Sequence, residues 1–276
     1  MTKRPSFSAR ASLLLGAVLI GAVFLFPIFY MLLTSVKPNS ILLDQPPRYL
    51  FPPTFANYLE LFVKNDFGKY YYNSTIVSFV STVLSVILGS MVAFAFAKFR
   101  LRAKKPMFLG ILMTQAFPPL TTIIPIFFVI RMTGMTDRLS TLIIFETAVR
   151  IPLIIWIMHG FFRTVPDEIL EAGLVDGTSH FQGFARLAMP LATPGIVAVA
   201  ILSFLYTWNS FLAALVFTTY NAITAPVEIL SFMIDEQQIN WGILSAGGIV
   251  TLLPIIVFTI VLHRYLLRGL TAGAIK

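Results

Sequence analysis

The stretch SLLLGAVLIGAVFLFPIFYMLL, Ser12–Leu33, is an unbroken apolar run of 22 residues. As a helix it would rise about 33 Å, enough to cross a hydrocarbon layer of about 30 Å. It follows Lys3, Arg4 and Arg10. A secretory signal also starts basic, but its apolar part runs only about 7 to 15 residues and ends at a small-residue cleavage site. This run is longer and has no such end, so it is predicted to be a membrane helix. Pro27 is predicted to kink it, which neighbouring helices tolerate.

Five more blocks of the same kind follow: Asn73–Ala97, Met107–Ile130, about Leu139–Met158, Pro190 to about Val216, and Ile243–Leu262. The chain of 276 residues is 57% hydrophobic and 12% charged. Its mean hydropathy is +0.85. A soluble domain of this length needs far more charged surface. The reading is therefore an all-α integral membrane protein with six transmembrane helices, forming one transmembrane domain over residues 1–276. There are no cysteines, which excludes disulfides and sulfur metal sites. His159, His180 and His263 have no zinc-like spacing, so no metal site is expected.

Residues 34–72 contain five prolines and several aromatics. They read as an external loop with a short helix near Asn57–Lys64. The loop is either a plain connector or a contact surface for an external protein. The FGK at 67–69 lacks the earlier glycine and the following hydroxyl residue that a phosphate-binding loop needs.

Positive charge sets the orientation. Thirteen basic residues flank the blocks on one side: Lys3, Arg4, Arg10, Lys98, Arg100, Arg102, Lys104, Lys105, Arg163, Arg186, Arg264, Arg268 and Lys276. Six lie on the other: Lys37, Arg48, Lys64, Lys69, Arg131 and Arg138. The richer side faces the cytoplasm by the positive-inside rule, and both termini are expected there. Because the basic residues flank apolar blocks, the net charge of +8 points to membrane lipid and not to nucleic acid.

That orientation puts RTVPDEILEAGLVDGTSHFQGFARLAMP, within the 163–190 loop, in the cytoplasm. Thr164 is expected to cap a helix, with Pro166 in its first turn and Asp167 completing a capping box. Ile169, Leu170, Leu174 and Val175 would ride on that helix. Gly177 would end it in the left-handed conformation. Thr178 would cap a second helix with Phe181, Phe184 and Leu187 on one stripe, and Pro190 would open the fifth block. Such a bent pair could lie on lipid or sit in another protein's groove. Four acids among residues 167–176 weigh against an anionic lipid surface.

This segment resembles the EAA loop of binding-protein-dependent ABC transporter permeases. That pattern is Glu-Ala-Ala, three residues, Gly, nine residues, Ile, one residue, Leu-Pro. Here Glu171, Ala172 and Gly173 are followed by Gly177 in register, and by Leu187, Ala188, Met189 and Pro190. Gly173 replaces the second alanine and loosens the helix by about 1 kcal/mol. LLTSVKP at 32–38, NYLELF at 57–62, Asn73 and Ser74, IPLIIWIMHGFFRTVPDEILEAG at 151–173 and SFLYTWNSFLAAL at 203–215 resemble the MalG-like sugar-permease branch. The resemblance implies one of two unlike permease subunits in a prokaryotic inner membrane. It implies no catalytic residue and no cofactor in this chain. ATP and Mg would be bound by two partner ATPase subunits or domains, and an external solute-binding protein would deliver the solute. Glu171, Ala172, Gly173, Asp176, Gly177, Leu187 and Pro190 would dock on the ATPase.

Within the spans, Glu146 and Arg150 stand four apart and would share a helix face. They either line a translocation path or neutralise each other near the outer interface; Arg150 would lie about 16 Å below Leu139. Asn209 needs a hydrogen-bond partner, and Trp208 beside it offers a stacking face; helix contact and solute contact both fit. Thr114 and Gln115, ahead of Pro118 and Pro119, are further path candidates. A self-contained secondary transporter would need ion-coupling carboxylates at mid-membrane, and only Glu146 qualifies. A membrane enzyme would need a catalytic cluster, and the few His, Asp and Glu residues form none that can be recognised.

Overall fold

The computed structural model describes residues 7–233 and 239–272. Lys3, Arg4 and Lys276 of the charge bias, both termini, and Asp235 and Glu236 lie outside the described residues. Those that are described form helices and turns, with no β-strand among them. The chain is a multi-pass all-α membrane protein. Four helices are long and apolar enough to span a bilayer: Leu13–Ser35, Phe67–Lys98, Leu139–Thr164 and Trp241–Ile260. The number reaches six if two bent pairs each count as one span.

We number the helices α1 Phe7–Ser35, α2 Ala56–Leu59, α3 Phe67–Lys98, α4 Lys104–Met113, α5 Pro119–Met132, α6 Leu139–Thr164 and α7 Asp167–Val175. Then come α8 His180–Gln182, α9 Thr193–Trp208, α10 Leu212–Phe217, α11 Ala225–Ser231 and α12 Trp241–Ala272.

Two blocks expected as continuous spans are broken. The third divides into Lys104–Ala116 and Pro119–Met132, bent by 94°. Pro118 and Pro119 supply no backbone N–H, and the residue before a proline is pushed out of helical conformation. Phe117 is accordingly extended. In the fifth block, His180–Leu191 meets Thr193–Trp208 at 84°. Pro190 therefore does not open this span; it sits in a short turn, Met189–Leu191, and the helix starts at Thr193. That helix stops at Trp208, only about 24 Å long. Asn209, expected in mid-span, is its C-terminal cap.

The chain forms two compact units. One comprises residues 1–68 and 229–253. Here the short helix expected near Asn57–Lys64 is present as α2 and a following wide turn, Glu60–Lys64. Buried Asn57 donates to the carbonyls of Ser35 and Lys37 at 2.9 and 3.0 Å, tying this helix to the end of α1. Phe67 is fully buried between Phe62 and Phe232. The most apolar window of α1 has no buried residue, as lipid contact requires.

The second unit holds residues 69–228 and 254–276. Its first core joins α3 and α6 through Phe94, Ile154, Ile155, Met158 and Phe162. A second core groups Val77, Ile123, Ile130, Leu142, Ala213, Ala214 and Phe217. At the end of that core the Asp137 carboxylate accepts from the backbone N–H groups of Thr219, Tyr220, Asn221 and Ala222 at 3.0 to 3.2 Å. The Asn221 side chain donates to it at 2.9 Å. The turn that joins α10 to α11 is thus wound around one anion.

Burial pushes the Asp137 carboxyl up, but the four backbone donors outweigh this and hold it well below the usual carboxylate range. A lowered value means that its contribution is fully present above about pH 4 and is lost only as pH falls far below that. Asp137→Asn keeps the shape and removes the charge. It should speed hydrogen exchange of the 219–222 amides at least about tenfold at neutral pH. Unchanged exchange would show that the turn holds without the carboxylate.

Candidate functional site

Two places in the second unit gather the residues that the sequence singles out. One is the segment after α6. This helix runs on to Thr164, whose hydroxyl donates back to the Phe161 carbonyl. The N-cap of α7 is Pro166, with no side-chain cap bond. The expected cap at Thr164 is thereby corrected: Thr164 still belongs to α6, so its hydroxyl serves that helix. Lys98, the last residue of α3, takes over the junction. Its ammonium, 9% exposed, donates to the Val165 carbonyl and pairs with Asp167 at 2.6 Å. A cation so poorly solvated needs those acceptors, although Asp167 itself is exposed.

The end of α7 is a Schellman turn. Thr178 N–H donates to the Gly173 carbonyl at 2.9 Å, and Gly177 N–H to the Leu174 carbonyl at 3.1 Å. Gly177 is left-handed at φ 86°, as expected. Thr178 is consumed by this turn, so the next cap is Ser179, which forms a capping box with Gln182. The expected stripe forms in part: the Phe181 and Phe184 rings lie 6.3 Å apart, but they differ in burial. A wide turn over Gly183–Ala188 shifts the register, burying Phe184 against Phe94 and Phe162 while Phe181 stays 63% exposed.

Gly173 is buried, and a Cβ there would lie 2.7 Å from the Leu187 side chain. The helix propensity lost at Gly173 is exchanged for close approach of the two arms. Glu171, Ala172, Asp176 and Pro190 are exposed, and so is Val175 at 87%. The outer face of α7 combines acids with bare apolar side chains.

The other place is a cleft of about 840 Å³ where the two broken blocks meet α6. Gln115, Glu146, Arg150 and Asn209 all line it, together with Thr114, Phe117, Ser210 and Phe211. Glu146 is 2% exposed and pairs with Arg150 at 3.0 Å. Its other oxygen accepts from Ser210 in the break after α9. The Arg150 guanidinium also lies 5.3 Å from the Tyr206 ring centre. Gln115 donates to the Val149 carbonyl at 3.0 Å, and Asn209 to the Leu205 carbonyl at 2.8 Å. Trp208 does not line this cleft. It is 1% exposed, stacked on Phe204 and edge-on to Tyr71, so its ring faces are taken up inside the protein.

Ser210 and Lys98 escaped the sequence reading. A lone serine in an apolar block gives no signal until the helix is known to break there. Lys98 read only as one member of a basic flank. His159 and His180 pack against Phe108 and Phe99.

With this geometry in view, the relatives are informative. Residues 85–272 match the family model of the binding-protein-dependent transport system inner membrane component, and the chain belongs to this family. The trehalose transport system permease protein SugB of Mycobacterium tuberculosis is 35% identical over 266 residues, spanning 95% of this chain and 96% of that one. A probable ABC transporter permease protein of Sinorhizobium fredii, y4oR, is 34% identical over 257 residues, 93% and 92% of the two chains. A crystal structure of a bacterial ABC transporter involved in the import of the acidic polysaccharide alginate contains a chain of the same fold. Its TM-score is 0.81 and its identity 22%, with 96% of this chain and 99% of that chain covered. The protein is thus an ABC-importer permease subunit of the inner membrane, a transport component and not an enzyme.

The buried ion pair yields a prediction. Glu146→Gln strands Arg150 while leaving an acceptor for Ser210, and Arg150→Gln strands a carboxylate in poorly solvated surroundings. Each single change should lower thermal stability by about 3 kcal/mol, and the double change should be milder than their sum. A double-mutant cycle on melting and uptake measures this. Additive losses would show that the two groups act separately.

Proposed function

We propose that the chain is the MalG-like subunit of a carbohydrate importer. It would pair with a second, unlike permease subunit, two ATPase subunits or domains and an external solute-binding protein. Residues 163–190 are the cytoplasmic coupling segment, residues 34–72 face outward, both termini lie in the cytoplasm, and six segments cross the membrane. The single observation that carries the mechanical part is the Lys98 clamp. The ends of α3 and α6 are tied to the start of α7, so a push on α7 is transmitted to two membrane helices. The exposed acids and apolar side chains of α7, with Gly177 at its end, suit a protein groove better than an anionic lipid surface.

The cleft supports the solute class. Thr114, Gln115, Asn209, Ser210 and Arg150 offer hydrogen-bonding groups among the aromatic faces of Phe117, Phe145 and Phe211. This mixture suits a hydroxyl-rich ring with apolar C–H faces. The sugars named for the relatives agree with it. Alternating access would follow from ATP-driven closure of the partner ATPase pair.

Two experiments test this. Gly177→Leu forces a branched side chain into the left-handed region at about 1–2 kcal/mol. Glu171→Lys reverses a charge on the docking face. Each should reduce co-purification of the ATPase about tenfold or more and uncouple hydrolysis from transport, with the chain still inserted. Normal binding and coupling in both would sink the docking assignment and favour a helix resting on lipid. For the path, Asn209→Ala should change the uptake of labelled sugars by the assembled complex. Unchanged uptake across a sugar panel would remove Asn209, and a complex that fails to assemble would give it a purely structural role.

A further inference from the structure

A further cleft, with basic groups at an otherwise apolar wall, lies apart from the solute cleft and the outer face of α7. It measures about 360 Å³ and is lined by Lys104, Lys105, Phe108, His159 and Arg163. Lys104 and Lys105 open α4, and His159 and Arg163 stand four apart near the end of α6. Among the described residues no carboxylate pairs with any of these four basic groups. The first turn of α4 holds no acid, and its N-cap, Ala103, makes no side-chain bond. Two lysines at the positive end of a helix are the reverse of the stabilising arrangement. An anion in the cleft would relieve that repulsion and suit the positive helix end.

The neighbouring surface says which anion. On the face of α4 that carries Lys105, at successive four-residue steps, Leu109 and Met113 are 55% and 65% exposed. Phe108, at the wall of the cleft, packs on Phe96 and His159. A phosphate dissolved in water has no use for a bare apolar strip beside its site. A soluble protein would meet the charges but not the strip, which belongs to a span-forming pair. A phospholipid meets both, since its headgroup is anionic and its chains are apolar. We propose that the cleft holds the phosphate of an anionic phospholipid, with the acyl chains along the exposed face of α4. Arg163 is two residues from Val165, whose carbonyl Lys98 holds, so the lipid would sit beside the Lys98 junction between α6 and α7.

The test uses the full chain in the complex with which it co-purifies, placed in nanodiscs of phosphatidylcholine with or without phosphatidylglycerol. Native mass spectrometry counts the retained phosphatidylglycerol. Lys104→Gln with Lys105→Gln, and Arg163→Gln alone, should each lower retention, by about fivefold per charge removed. Arg163→Lys should retain the lipid, as should Arg131→Gln, a basic residue in the last turn of α5. Retention unchanged in both neutralised variants overturns the proposal. So does inorganic phosphate binding in phosphatidylcholine discs with the same dependence on these residues while phosphatidylglycerol retention does not depend on them. Loss of the ATPase at unchanged lipid retention would make the cleft a protein-docking surface instead.

Discussion

A peptide group in hydrocarbon has no water to bond with, so every break in a membrane helix must be satisfied by protein. This constraint shapes the second unit. Two breaks, at Phe117–Pro118 and at Asn209–Phe211, interrupt helices that would otherwise cross directly. At the first, the Gln115 side chain reaches the Val149 carbonyl of α6. At the second, Asn209 turns back onto Leu205 and Ser210 reaches Glu146. The groups that close the breaks are thus the groups that line the cleft. A buried carboxylate is expensive here, and Glu146 is tolerable because a guanidinium and a hydroxyl complete its coordination.

The same unit carries the mechanical connection. Phe94, Phe162 and Phe184 hold the ends of α3 and α6 against the segment after α7. Lys98 closes the remaining side with one ammonium on two acceptors. Back-to-back caps follow, a Schellman turn at Gly177 and a capping box at Ser179. The angle between the two arms is set by hydrogen bonds, and little is left to side-chain rotation. Gly173 and Leu187 then set their separation, which explains a glycine in the last turn of a nine-residue helix.

The membrane class, the positions of the apolar blocks and the α7 segment were legible because each depends on local composition or a short motif. Gly177 was legible because one residue type fits one backbone conformation. Cap positions slipped by one or two residues, since Thr164 and Thr178 are equally able to serve the helix before them. The breaks were hidden for a different reason. Prolines in a membrane block can kink or stop a helix, and the outcome depends on whether a neighbour can satisfy the freed groups. That neighbour is α6, distant in sequence from Asn209. The gathering of Gln115, Glu146, Arg150 and Asn209 therefore required the fold, whereas the Glu146–Arg150 pair was visible from its spacing alone.

The bareness of α1 governs the order of events during synthesis. Its most apolar window contributes nothing to the interior of the chain. It can therefore partition into lipid as soon as it leaves the ribosome, with no requirement that later segments exist. The segments broken at Phe117–Pro118 and at Asn209–Phe211 have no such freedom, because side chains at those breaks reach α6. α1 is thus an anchor that is stable by itself, whereas the site can form only when α6 and the segment 209–213 are both in place.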